Sequence, residues 1–101
     1  MADGNDLHRL FASPITQWTG MRLVSSDAAR AEVALPARAE FTQAEGVVHG
    51  GMLAMLADSA CVFLLWPQVA REHWMASIDF QFAFLAAAAR GGDDLRAVAT
   101  V

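Results

Sequence analysis

The stretch Glu45-Gly-Val-Val-His-Gly-Gly-Met-Leu-Ala-Met-Leu-Ala-Asp-Ser-Ala-Cys-Val-Phe-Leu-Leu-Trp66 decides how the rest of the chain must fold. Between Gly50 and Trp66 the only charged residue is Asp58, and the only hydroxyl belongs to the adjacent Ser59. A run this apolar, entered through glycines and closed by Pro67, predicts one long helix over 50–66 buried on nearly every side. Proline has no N–H with which to continue the helical ladder, so the helix stops there. Other segments must wrap around it.

Upstream, Leu7, Leu10, Phe11 and Ile15 recur at helical spacing with Pro14 interrupting. They predict a short N-terminal helix over about 6–18 with an irregular end, acting as a lid or plug. Met21 and Leu23, then Ala31, Val33 and Leu35, alternate with other residues on either side of Ser25-Ser-Asp-Ala-Ala, the pattern of a hairpin whose second strand Pro36 ends. Residues 37–48 carry no clean period and read as a connection over the helix start, with Phe41 packing inward and Gln43 and Glu45 free to point elsewhere. Downstream, Ile78, Phe80, Phe82 and Phe84 fall on one face and Asp79, Gln81 and Ala83 on the other. That is a strand whose apolar face has only the 50–66 helix as a sufficiently apolar partner.

A turn over the alanines and glycines that follow leads to a last strand starting near Leu95. The expectation is one α+β domain over 1–101, an antiparallel sheet wrapped around one long central helix. Because the chain stops inside its last strand, an apolar edge is expected to be covered by a partner chain, or the domain to be truncated at its C-terminus.

With 55% hydrophobic and 18% charged residues the chain suits a folded core rather than disorder. Its net charge is −4 and its seven basic residues, all arginines, are scattered, so a nucleic-acid partner is not expected. The absence of lysine excludes a Schiff-base or phosphate-loop lysine. A single cysteine, Cys61, allows no internal disulfide and points to a reducing cytoplasm. Asp58 at the centre of the apolar run, its modest length and its lack of flanking positive charge argue against a membrane span. No His, Cys, Asp or Glu cluster has metal-ligand spacing, and no metal or separate cofactor is expected.

His49-Gly50-Gly51 opens the helix, where first-turn N–H groups lack intrahelical partners and the dipole is positive. Glycine lets a substrate oxygen approach such a donor, which would stabilise an oxyanion. Alternatively, Gly50 and Gly51 simply allow close packing of the helix start, and His49 is a capping or packing residue. Asp58 calls for a reason, because an unpaired carboxylate inside an apolar helix costs several kcal/mol unless it is hydrogen-bonded, paired or open to a wet cleft. Either Ser59 or a backbone N–H satisfies it, or it does chemistry. Asp58 follows Gly50 by eight residues, which is about 12 Å along a helix. One copy cannot aim both groups at one carbonyl. If both act on one substrate, Asp58 comes from a second copy whose helix lies antiparallel across a two-fold axis. Gln43 is either a surface loop residue or an amide donor to the same oxygen. Phe41, Trp66 and Trp74 are either core or the walls of an aromatic pocket.

These residues resemble the hotdog-fold acyl-CoA thioesterases of the phenylacetyl-CoA and 4-hydroxybenzoyl-CoA type. The resemblance is densest over Gly46-Val-Val-His-Gly-Gly-Met-Leu-Ala-Met-Leu-Ala-Asp-Ser-Ala60 and weaker over Ser77-Ile-Asp-Phe-Gln-Phe-Ala-Phe-Leu85 and Arg90-Gly-Gly-Asp93. It implies a homodimer or homotetramer that hydrolyses an acyl-CoA, with coenzyme A entering only as part of the substrate. By the same resemblance the Gly50 amide polarises the thioester carbonyl and Gln43 assists or positions the attacking water. Asp58 of the opposite subunit is then general base or nucleophile, supported by Ser59. His49, Gly51 and Phe41 complete the candidate site. The family's arginine after the phenylalanine strand is replaced by alanines here, and Arg90 is the candidate substitute near the CoA phosphates. Two other readings remain open: a non-catalytic acyl-CoA-binding or regulatory module, and a partner subunit of a larger assembly.

Overall fold

Strand β2 (Arg30–Leu35) is the middle of the sheet, because its alternation of Ala31, Val33 and Leu35 with Arg30 and Glu32 gives it one dry face and one wet face. The computed structural model describes residues 6–88 and 94–101. Two antiparallel neighbours flank β2: β1 (Arg22–Ser26) on one side and β3 (Leu95–Thr100) on the other, in the order β1-β2-β3. Asp27 closes the expected hairpin by accepting hydrogen bonds from the N–H groups of Ala29 and Arg30 at 2.8 and 2.9 Å. A register shift between Leu23 and Ser25 bulges the outer strand β1. On the wet face Glu32 accepts from Arg30 at 3.0 Å and from Arg96, diagonally across the β2–β3 ladder, at 2.6 Å. Those hydrogen bonds, from Arg96 first and then Arg30, hold the Glu32 carboxyl below its ordinary value of 4.5.

The long helix, α3 (Gly50–Leu65), lies across the dry face and buries Leu56, Ala60, Phe63 and Leu64 against Ala31, Val33, Leu35 and Ala99. The expected α+β arrangement of an antiparallel sheet on one central helix is present. The helix is not buried on every side, however. Leu56, Ala60, Phe63 and Leu64 form one stripe, whereas Gly51, Cys61 and Leu65 are exposed and Asp58 is half-buried. Cys61 therefore faces outward rather than into the core. A short 3₁₀ turn at Trp66–Gln68 extends the helical run, which is long and apolar enough by composition to cross a bilayer. One stripe of it, Leu56, Ala60, Phe63 and Leu64, packs against β2 and β3.

The single N-terminal helix expected over 6–18 is two: α1 (His8–Phe11) and α2 (Pro14–Thr19). Ser13 separates them by capping α2, accepting from the Thr16 N–H, with Pro14 at the first helical position where its missing N–H costs nothing. The region contacts the C-terminal half of α3. Phe11 packs against Phe63 at a centroid distance of 5.5 Å, and the Trp66 indole N–H donates to the Asp6 carbonyl at 3.0 Å. Helix α2 ends at Gly20, whose φ of 75° is the left-handed conformation of a helix cap. A Cβ there would lie 2.6 Å from the Arg38 guanidinium, which donates to the Trp18 carbonyl.

A larger difference concerns residues 78–84, expected as a strand with its apolar face on the helix. Among the described residues they join no sheet. Ile78 is fully exposed, and Phe80, Phe82 and Phe84 remain 39–61% exposed. The period-2 pattern does keep the rings on one side, since Phe80 meets Phe82 at 4.8 Å and Phe82 meets Phe84 at 6.1 Å. The physical reason is that α3 gives its most apolar stripe to β2 and β3, and β3 offers this segment no ladder. Residues 74–88 instead return along the uncovered side of α3, with Trp74 beside Trp66, Ser77 beside Asp58 and Phe84 beside Gly50.

Candidate active site

The start of α3 is assembled by the loop before it. Thr42 and Val48 form an isolated antiparallel bridge, the Gln43 N–H donates to the Val47 carbonyl at 2.9 Å, and Gly46 turns the loop with φ 79°. The His49 N–H then donates to the Phe41 carbonyl at 2.7 Å. Phe41 is 2% exposed and packs edge-on to Trp18, so it is a core anchor of this loop rather than a pocket wall. The loop thus brings Gln43 to the mouth of the helix.

His49 is the N-cap of α3. Its Nδ1 accepts from the Gly51 N–H at 2.8 Å, satisfying one of the first-turn donors. A Cβ on Gly51 would lie 2.9 Å from that nitrogen, so glycine here makes room for the cap. Gly50 differs. Among the described residues its N–H has no acceptor, and Gly50 lines a cavity of about 340 Å³ together with Gln43, Val47, Val48, Leu53, Phe84 and residues 85–88. The Gln43 side-chain amide likewise has no partner among the described residues. Gln43, with its carboxamide, and Gly50, at the positive end of the helix, therefore line one open cavity that would suit a carbonyl oxygen.

Asp58 does not line that chamber. It sits two turns along α3, on the side not covered by the sheet, and its Oδ1 accepts from the Ser77 hydroxyl at 2.5 Å. Ser59, expected to support it, instead directs its hydroxyl to the Met55 sulfur at 3.5 Å. Ser77 lies nineteen residues downstream, and only the return of residues 74–88 along α3 brings it to the carboxylate. Its position at the head of the alternating phenylalanine stretch was the one available signal. The structure therefore joins Gln43, Gly50, Gly51 and His49 at one end of α3 and leaves Asp58 with Ser77 apart from them. The Arg90 contact with coenzyme A lies outside the described residues. Among the described residues, no three His, Cys, Asp or Glu side chains gather closely enough to share a cation.

Comparison with known proteins gives this arrangement a context. A family profile described as the thioesterase superfamily matches residues 45–101, from the loop before α3 through β3. No curated protein matches at a significant level. Among solved structures, the PaaI protein of the E. coli phenylacetic acid degradation operon is 28% identical with a TM-score of 0.70, over 92% of this chain and 65% of that one. A conserved protein of Pseudomonas aeruginosa is 26% identical with a TM-score of 0.77, over 94% of this chain and 74% of that one. A thioesterase of Haemophilus influenzae, 20% identical with a TM-score of 0.79 over 93% of this chain and 64% of that one, shares the fold.

Proposed function

This chain belongs to the thioesterase superfamily and has the hotdog fold, and from that premise we propose that it hydrolyses an acyl-CoA thioester at a site shared by two copies. The observation that carries the proposal is that Gln43 and Gly50, whose N–H has no acceptor among the described residues, line one cavity while Asp58 does not. Eight residues of helical rise, about 12 Å, separate the two groups, beyond the reach of one aspartate. An antiparallel second copy brings its own Asp58 opposite Gly50 and, by symmetry, forms two equivalent sites.

In this reading the thioester carbonyl oxygen takes hydrogen bonds from the Gly50 N–H and the Gln43 amide. Charge that develops on the oxygen during attack meets the positive end of α3. Asp58 of the second copy, with Ser77 holding one carboxylate oxygen, takes a proton from water as the water attacks, or attacks the carbonyl itself and is released by water. The carbon–sulfur bond breaks, the thiolate of coenzyme A takes up a proton, and the free acid leaves. His49 keeps the helix mouth in shape by capping the Gly51 N–H. The uncovered side of α3, with exposed Cys61 and Leu65 and the half-exposed rings of residues 80–84, is the apolar surface that the second copy would cover.

Mixing tests the shared site. Asp58→Ala and Gly50→Ala should each lose most thiol release from short, medium, long and aryl acyl-CoAs. Co-refolding the two variants in equal amounts restores about a quarter of the wild-type rate, because half the dimers are mixed and each mixed dimer has one intact site of two. Two inactive variants that stay inactive after subunit exchange would place both groups in one chain and overturn the proposal.

A further inference from the structure

Asp58, Val62 and Trp66 follow one another at intervals of four residues and so form one ridge of α3. The returning segment walls the same ridge: Ser77 bonds Asp58, and one turn further on Met75 and Trp74 close a second cavity, of about 280 Å³, with Leu10, Val62 and Trp66. Its remaining walls are Ser13 and Arg9. The Arg9 guanidinium carbon lies 4.9 Å from the centroid of the Trp74 ring and 5.9 Å from that of Trp66. Among the described residues the guanidinium has no carboxylate or carbonyl partner. Stacking on an indole uses its flat face and leaves the in-plane N–H donors free along its edge. The cavity thus opens at Val62, one helical turn beyond Asp58, and is bounded at Trp66 and Trp74 by a guanidinium without a partner among the described residues.

We propose that this cavity takes the far end of the acyl group and that Arg9 selects acyl chains ending in a second carboxylate, the monothioesters of medium-chain dicarboxylic acids. The inference rests on the proposed thioesterase site, since it is Asp58 that fixes where the acyl chain enters. Leu10, Val62, Trp66 and Met75 suit the methylene stem, and a terminal carboxylate can pair bidentately with the guanidinium edge. A methyl terminus would crowd water from that edge and return no acceptor.

The experiment compares octanoyl-CoA with suberyl-CoA, of equal chain length, in the unaltered protein and in Arg9→Met and Arg9→Lys variants. The unaltered protein should prefer suberyl-CoA by about tenfold in kcat/KM, the size of one charge-assisted hydrogen bond, with the difference in KM because the terminus is held alike before and during reaction. Arg9→Met abolishes the preference and Arg9→Lys retains part of it, as a purely structural role for Arg9 would not. Hydrolysis of octanoyl-CoA without preference for suberyl-CoA, or a preference that survives Arg9→Met, overturns this assignment and leaves the thioesterase reading standing. Silence across the whole acyl-CoA panel overturns both.

Discussion

Replacing Gly50 by alanine separates the two roles that glycine can have at the mouth of α3. The added Cβ would lie 3.5 Å from the Phe84 ring, an ordinary van der Waals contact, so nothing in the fold needs to move. No positive φ is involved, and alanine in place of glycine stabilises a helix by up to about 1 kcal/mol, less at its first residue. The folded protein should therefore be as stable as before or slightly more so. The methyl group, however, projects into the chamber shared with Gln43 and Phe84, where a carbonyl oxygen must come within hydrogen-bond distance of the N–H. Loss of one oxyanion donor costs about 2.7–4 kcal/mol of transition-state stabilisation, or 10²–10³-fold in kcat, and an obstructed donor should lose about 10²-fold. Urea unfolding measures the first quantity and steady-state thiol release the second. A variant with higher stability and wild-type turnover would refute the reasoning, because the Gly50 N–H would then be an unused helix end.

Three further outcomes are expected. Gly20→Ala should destabilise the protein by about 1–2 kcal/mol in urea, from the left-handed conformation alone, and by more if Arg38 cannot move aside from the new methyl group. His49→Ala should remove about 1 kcal/mol of stability with the lost cap, read as a lowered urea midpoint. Glu32, whose carboxyl is held below 4.5 in the folded protein, contributes stability that is fully present above its unfolded value and lost as pH falls through the lowered folded one. The stability difference between the unaltered protein and Glu32→Gln should therefore shrink on going from neutral pH into acid. A difference that stayed constant down to the acid limit would mean that the Arg96 and Arg30 contacts do not act on the carboxyl.

The amino-acid sequence alone determined the elements whose character is local. The apolar run between Gly50 and Pro67 makes a helix, although its sequence does not say how much of it is buried, and Asp27 between two alternating segments makes a hairpin because its carboxylate closes the turn by itself. The helical rise between Gly50 and Asp58 likewise follows from residue count, so their separation was legible without coordinates. What the tertiary structure decided was every contact between residues distant along the chain. Alternation shows that residues 78–84 have one apolar side, but a strand exists only where a neighbour supplies the other half of its hydrogen bonds, and β3 supplies none to this segment. The partner of Asp58 is Ser77 and not the adjacent Ser59 for a related reason. Neighbours one position apart on a helix point in different directions, whereas the returning segment crosses the ridge on which the carboxylate stands.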